Sequence, residues 1–296
     1  MKKRLAVLLA ALLLCLPFCG CAGAGTYAAK PGEPLYSNME DEETLAWVLA
    51  QLKAAGLNAE AVDAVGEWIA DFNILSSKNT VYTHVKGFAP MNGAVDYGDD
   101  SAYGDYNYQW CKAAGRDYWD VLCRSTAFFL LQDRITVEST LEESLWNREW
   151  FQTDLDGFET NPGLQCPQDT IRRYFTLYQM MDFDGAEDAR ERAGQVKAQW
   201  EKYGVAFQEG GVSLLTVWTV QQGCRLYPSH AALLVSLPDG QYLTFEKYSP
   251  EYPYQATLFA SKEEVKPYFD QWVALGWRGY EQVPEHFVME NDRLLE

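Results

Sequence analysis

The chain has 296 residues, with 42 acidic against 24 basic side chains and a formal net charge of −18. That balance excludes the basic surface needed to hold nucleic acid and argues against electrostatic docking on anionic lipid. A hydrophobic content of 48%, with 10 Trp and 18 Tyr, excludes a largely disordered chain.

Lys2, Lys3 and Arg4 precede an unbroken apolar run from Leu5 to Leu16, the layout of a secretory signal peptide over residues 1–20. The run is too short for a permanent span, which takes about 20 residues. It ends in "PFCGCAG", where, of Cys15, Cys19 and Cys21, only Cys21 follows a small residue, Gly20. A peptidase that cuts before a lipidated cysteine needs that arrangement, so Cys21 is the predicted lipidation site, with Phe18 a departure from the pattern. Residues 21–37 hold this lipobox cysteine and a small, polar, proline-bearing tether. The rest, 38–296, is expected to form one domain on the extracytoplasmic face of a bacterial cell membrane.

Helical spacing of Leu45, Val48, Leu49 and Leu52 predicts a helix over Glu43 to Gly56. Asn58 then caps a second, carrying Val62, Val65, Trp68, Ile69 and Phe72 up to Asn73. "VYTHV", Val81 to Val85, reads as a short strand or an extended connection. Between Gly87 and Gly115, Tyr97, Tyr103, Tyr106, Tyr108 and Trp110 alternate with aspartates without periodicity, a candidate ligand-facing loop. Helices are predicted from Asp120 to Ile135, Leu141 to Trp146, Ile171 to Met181, and Ala186 to Tyr203. After Gly210 and Gly211 the period becomes strand-like in "VSLLTVWTV", "HAALLVSL" and "QYLTFEK", the last two joined by the turn "PDG" as a hairpin. A last helix runs from Ser261, an N-cap with Glu264 three residues on, to Leu275, before a polar end. Helices first and an antiparallel sheet afterwards indicate α+β.

Cys111, Cys123, Cys166 and Cys224 allow three full disulfide pairings, among which spacing does not choose. No C-x-x-C occurs, and His84, His230 and His286 are scattered, so neither a metal nor a cofactor is expected. "DLDG", Asp154 to Gly157, has its glycine at the wrong position for a calcium loop.

Chemistry is concentrated in "DVLCRSTAF". With Asp120 as N-cap, Cys123 takes the third helical position, where unpaired N–H groups and the helix dipole favour a thiolate. The same N–H groups suit the oxyanion of a tetrahedral intermediate, and Arg124 adds positive charge if it turns toward the sulfur. His230, at a strand start after the loop "CRLYPS", is the best base. A three-residue turn with Gly240 left-handed pairs Leu237 with Gln241 and Ser236 with Tyr242, down to Ala232 with Glu246. His230 and Glu246 then share a face one diagonal step apart, whereas a two-residue loop flips Glu246 away. The plainer readings are an inert or disulfide-bonded Cys123, a structural His230, and a solvated Glu246–Lys247 pair.

"DVLCRSTAF", "SHAALL", "FEKYSPEYPYQA" and "DAVGEWIADFN" resemble the motifs of a family of Gram-positive lipoproteins catalogued as domain of unknown function DUF4300. The resemblance covers most of the chain after the leader. It implies a papain-like core, N-terminal helices packed on a C-terminal antiparallel sheet, with a cysteine-peptidase or amidase site of Cys123, His230 and Glu246. The substrate class it implies is a peptide or amide bond, such as a cell-wall stem; a non-catalytic binding module on the same fold is the alternative. This chain departs from the family at Leu122, usually Asn, and at Ser229 and Ala232, near which the family has glycines.

Overall fold

The computed structural model describes residues 27–76, 85–97, 115–116, 118, 120–183, 188–221 and 224–296. The signal segment, Cys21, most of "VYTHV", and Tyr103, Tyr106, Tyr108, Trp110 and Cys111 lie outside them. Among the described residues there are seven α-helices and a large antiparallel sheet, a mixed α and β fold. No helix of these residues is long and apolar enough to cross a membrane.

Helix α1 (Glu42–Ala54) starts where Asp41 Oδ1 accepts from the Thr44 N–H at 2.9 Å and stops before Gly56, whose φ of 90° is left-handed. Helix α2 (Ala59–Ser76) is capped as expected, Asn58 Oδ1 accepting from the N–H groups of Glu60 and Ala61. Their stripes, Val48 and Leu52 with Val62, Val65 and Ile69, are fully buried. Helix α3 (Cys123–Leu131) is shorter than its apolar run suggested. Past Leu131 the chain tightens into a 3₁₀ turn, and Ile135–Thr136 is already strand, β3. Leu141 to Trp146 supplies only a 3₁₀ turn at Glu143–Leu145. The next full helix is α4 (Gln152–Thr160), followed by α5 (Gln168–Leu177) and α6 (Ala189–Lys202). Ser261 caps a 3₁₀ turn without a side-chain bond, and α7 (Val265–Gly276) follows.

The main sheet has nine strands: β1 (Leu35–Ser37), β2 (Ala89–Pro90), β4 (Met181–Asp182), β6 (Val212–Gln221), β7 (Arg225–Ser236), β8 (Tyr242–Lys247), β9 (Tyr254–Phe259), β10 (His286–Glu290) and β11 (Arg293–Leu294). Their order is β11-β10-β6-β7-β8-β9-β1-β2, with β4 joined to the start of β7; β3 pairs separately with β5 (Ala206–Phe207). The segment expected to be a polar end thus closes one edge, where Phe287, Val288 and Met289 are buried.

Alternation along β7 and β8 divides the core. Ala231, Leu233, Val235, Leu243 and Phe245 face the side of α1 to α6, while Ala232 and Leu234 face Val265, Phe269 and Val273 of α7. The sheet is therefore covered on both faces, and β1 and β2, the last two strands at one side, come from the N-terminal part. Both facts correct the expected layout of N-terminal helices on a C-terminal sheet: the last helix is apolar enough to cover the second face.

Candidate active site

The β7–β8 hairpin has the expected register. Ser236 pairs with Tyr242 and Leu233 with Phe245, Gly240 takes φ 88°, and the Leu237 N–H donates to the Gln241 carbonyl at 2.9 Å. His230 and Glu246 consequently meet, Nε2 bonded to Oε2, both with about one per cent of their surface exposed. Glu246 Oε1 accepts from the Tyr268 hydroxyl at 2.5 Å. Trp272, one turn further along α7, stacks on the imidazole with centroids 4.2 Å apart and planes 28° apart.

His230 is not at a strand start. "CRLYPS" is mostly strand from Arg225, and the register against β6 slips so that Val217 faces His230 while Trp218 faces Pro228, leaving Ser229 as the extra residue of a bulge. A bulge tolerates Pro228, which has no N–H to give the ladder.

Cys123 is the first residue of α3, not the third, because Leu122 is the N-cap. Asp120 cannot cap. Its Oδ1 accepts from the Val121 N–H at 2.8 Å, and its Oδ2 lies 2.6 Å from Lys247 Nζ. Ser125 reaches back instead, its hydroxyl accepting from the Leu122 N–H at 2.8 Å. The N–H groups of Cys123, Arg124 and Ser125 make no hydrogen bond to another described residue, as expected of a helix start.

The pairing of β7 with β8 ends at Leu233 and Phe245, and beyond it the start of α3 meets the two strands: Cys123 lies beside His230 and Ala231, and Lys247 holds Asp120. Burial alone raises a thiol's pKa, but the nearby His230, then Arg124 and the Ala231 N–H, bring Cys123 below the ordinary value. For His230 burial works against the imidazolium, yet Cys123 first and Glu246 second raise its pKa to about 9. With Nε2 on Glu246, Nδ1 is the ring nitrogen left for Cys123, and it has no hydrogen-bond partner among the described residues. Both shifts run in the direction that favours a thiolate beside an imidazolium.

Arg124 turns away from solvent. Its Nε and Nη2 grip both oxygens of Asp154 at 3.1 and 2.7 Å, and its Nη1 donates to the Pro228 carbonyl at 2.9 Å. Phe151 and Tyr227 lie against it, with its carbon 5.2 and 5.5 Å from their ring centres, and the Tyr174 hydroxyl completes Asp154. One side chain thus ties the cysteine helix to the histidine bulge and lends positive charge to the sulfur.

Cys123, Cys166 and Cys224 are free thiols. Of the aromatic loop, Tyr97 is buried and hydrogen-bonded behind the site, its ring 4.9 Å from that of Tyr248. Sequence reasoning missed Tyr268, Trp272, Lys247 and Asp154. The i, i+4 spacing of Tyr268 and Trp272 on one helix face is a signal for the first two; nothing local marks the others.

The model of the family described as domain of unknown function (DUF4300) matches residues 35–295. No curated protein and no solved structure matches the chain. The chain belongs to the DUF4300 family.

Proposed function

We propose that this protein is a lipid-anchored, extracytoplasmic cysteine hydrolase of papain-like arrangement that cleaves a peptide or amide bond. The observation that carries the reading is the placement of Cys123 at the start of α3 against β7, where His230 keeps one ring nitrogen on Glu246 and the other unpaired. The Cys123 thiolate attacks the carbonyl carbon; a C–S bond forms and the carbonyl electron pair moves to oxygen, where the open N–H groups at the start of α3 stabilise it. His230 passes its proton to the leaving nitrogen as the C–N bond breaks, giving a thioester. It then takes a proton from water, whose oxygen attacks the thioester and returns the thiolate. Glu246 holds the ring through both steps. Lipid on Cys21 and the tether at residues 21–37 would keep this chemistry at the outer face of the membrane.

A screen of peptide and amide substrates with three proteins tests the reading. Wild type is expected to turn over a substrate, Cys123→Ala to lose at least about a thousandfold of that rate, and Cys21→Ser to keep it while leaving the membrane fraction. Binding without turnover, equal in wild type and Cys123→Ala, would instead mark a non-catalytic binding module, a reading that the donor-free Leu122 side chain favours.

A further inference from the structure

His230 occupies only one oxygen of Glu246, and the other begins a buried chain of polar groups. Tyr268 donates to Glu246 Oε1 at 2.5 Å, and its oxygen accepts from Gln255 Nε2 at 2.8 Å. Gln255 Nε2 also donates to Thr257 Oγ1 at 2.8 Å, while its Oε1 accepts from the Tyr97 hydroxyl at 2.6 Å. The Tyr97 oxygen accepts from Asn38 Nδ2 at 2.7 Å, and the same nitrogen donates to the Tyr254 backbone carbonyl at 3.0 Å. Asn38, Gln255 and Thr257 are fully buried; Tyr97 and Tyr268 are nearly so.

The far end fixes the direction. A backbone carbonyl only accepts, so the Asn38 atom against Tyr254 is the amide nitrogen. Tyr97 therefore spends its own proton on Gln255, whose nitrogen is then the atom facing Tyr268, and Tyr268 must donate to Glu246. Reversal would set Asn38 Oδ1 against the Tyr254 carbonyl, two acceptors in a closed interior. Burial, with the nearby Glu246 charge adding to it, keeps Tyr268 and Tyr97 as neutral phenols.

We infer that Asn38, Tyr97, Gln255 and Tyr268 form a one-way hydrogen-bond chain that holds Glu246 in place as the acceptor facing His230. They are positioning residues of the proposed cysteine site, and the inference rests on that site. The titratable groups facing Glu246 are His230 from β7, Tyr268 from α7, Tyr248 from the end of β8, and Tyr97 from the segment after β2. Behind His230 lie Cys123 and then Arg124. Removing the Tyr268 hydroxyl leaves a buried carboxylate one bond short, which weakens its hold on the imidazolium and, through it, on the thiolate.

Site-resolved iodoacetamide labelling of Cys123 against pH, in wild type, Tyr268→Phe, Tyr97→Phe and His230→Ala, tests this alongside thermal melts that establish folding. The midpoint should rise by about one pH unit in Tyr268→Phe, a tenfold loss of thiolate at lower pH. In Tyr97→Phe, two links away, about a threefold loss is expected. Should Tyr268→Phe fail to fold, Tyr97→Phe carries the test alone. Wild-type midpoints in both phenylalanine variants, beside a raised one in His230→Ala, would reject the chain and spare the site. An unmoved midpoint in His230→Ala would reject the site and the chain with it.

Discussion

Leu122 sits where the nucleophile's helix opens, and its side chain offers neither a cap nor a hydrogen-bond donor. In the proposed reaction the N–H of Cys123 would stabilise the oxyanion with only its helical neighbours beside it. Removing one such donor from a built oxyanion site costs on the order of 10²–10³ in rate. Restoring one in an unrefined position recovers less, so Leu122→Asn is expected to raise single-turnover acylation of Cys123 by about tenfold. The labelling profile of the thiol should stay where it was, because the substitution leaves His230 untouched. A variant that acylates no faster would mean that position 122 does not face the reacting carbonyl. His230 and Glu246 were legible at this scale because strand parity is strict: the three-residue turn put them on the same face, and a two-residue turn would have parted them. The position of Cys123 within its helix was misread, since Asp120 had a partner that no local pattern announces.

That partner belongs to an element with two tasks. Adjacent residues of β8 point to opposite faces: Glu246 toward His230, and Lys247 toward Asp120, three residues before the nucleophile. Lys247 is wholly buried, its Nζ 3.5 Å from the centre of the Phe72 ring and 4.5 Å from that of Tyr254. Burial lowers its pKa while Asp120 opposes the shift. A buried pair is weak evidence of net stability, but breaking it leaves an uncompensated charge. Lys247→Met should therefore cost about 3–5 kcal/mol in denaturant unfolding, and Lys247→Met with Asp120→Leu should recover much of it. If the double variant is as unstable as the single, the ion pair is not what the cost measures. A sequence shows Glu246 beside Lys247 as readily on a solvated strand end. Only the helices that cover the strand decide otherwise, and those contacts are long-range. The bulge at Ser229 was hidden for a related reason: Pro228 read as loop because only its neighbour strand shows that the ladder continues past it.

In the whole molecule, the site is a meeting of layers. Cys123 comes from the helical layer on one face of the sheet, whereas His230 and Glu246 are sealed by Tyr268, Phe269 and Trp272 of α7 on the other. They join where β7 and β8 stop pairing. The run of helices before the central strands β6, β7 and β8 was readable from periodicity, and the helical core from the stripes of α1 and α2, whereas α4 and β9 were not foreseen. The closing role of α7 and the strand β10 was not, because five residues such as "HFVME" carry little pattern of their own. The proposed activation of Cys123 is thus a property of the folded assembly, and the ionised pair is expected between the lowered pKa of Cys123 and the value of about 9 at His230. Its most direct measurement is the pH dependence of Cys123 alkylation, resolved by mass spectrometry, with the exposed Cys224 reporting that the reagent is active at each pH. The midpoint for Cys123 should lie below the ordinary thiol value of about 8.5, and in His230→Ala, where burial is opposed only by Arg124 and the Ala231 N–H, it should rise to that value or above. A wild-type midpoint at the ordinary value, unmoved by His230→Ala, would contradict an activated nucleophile.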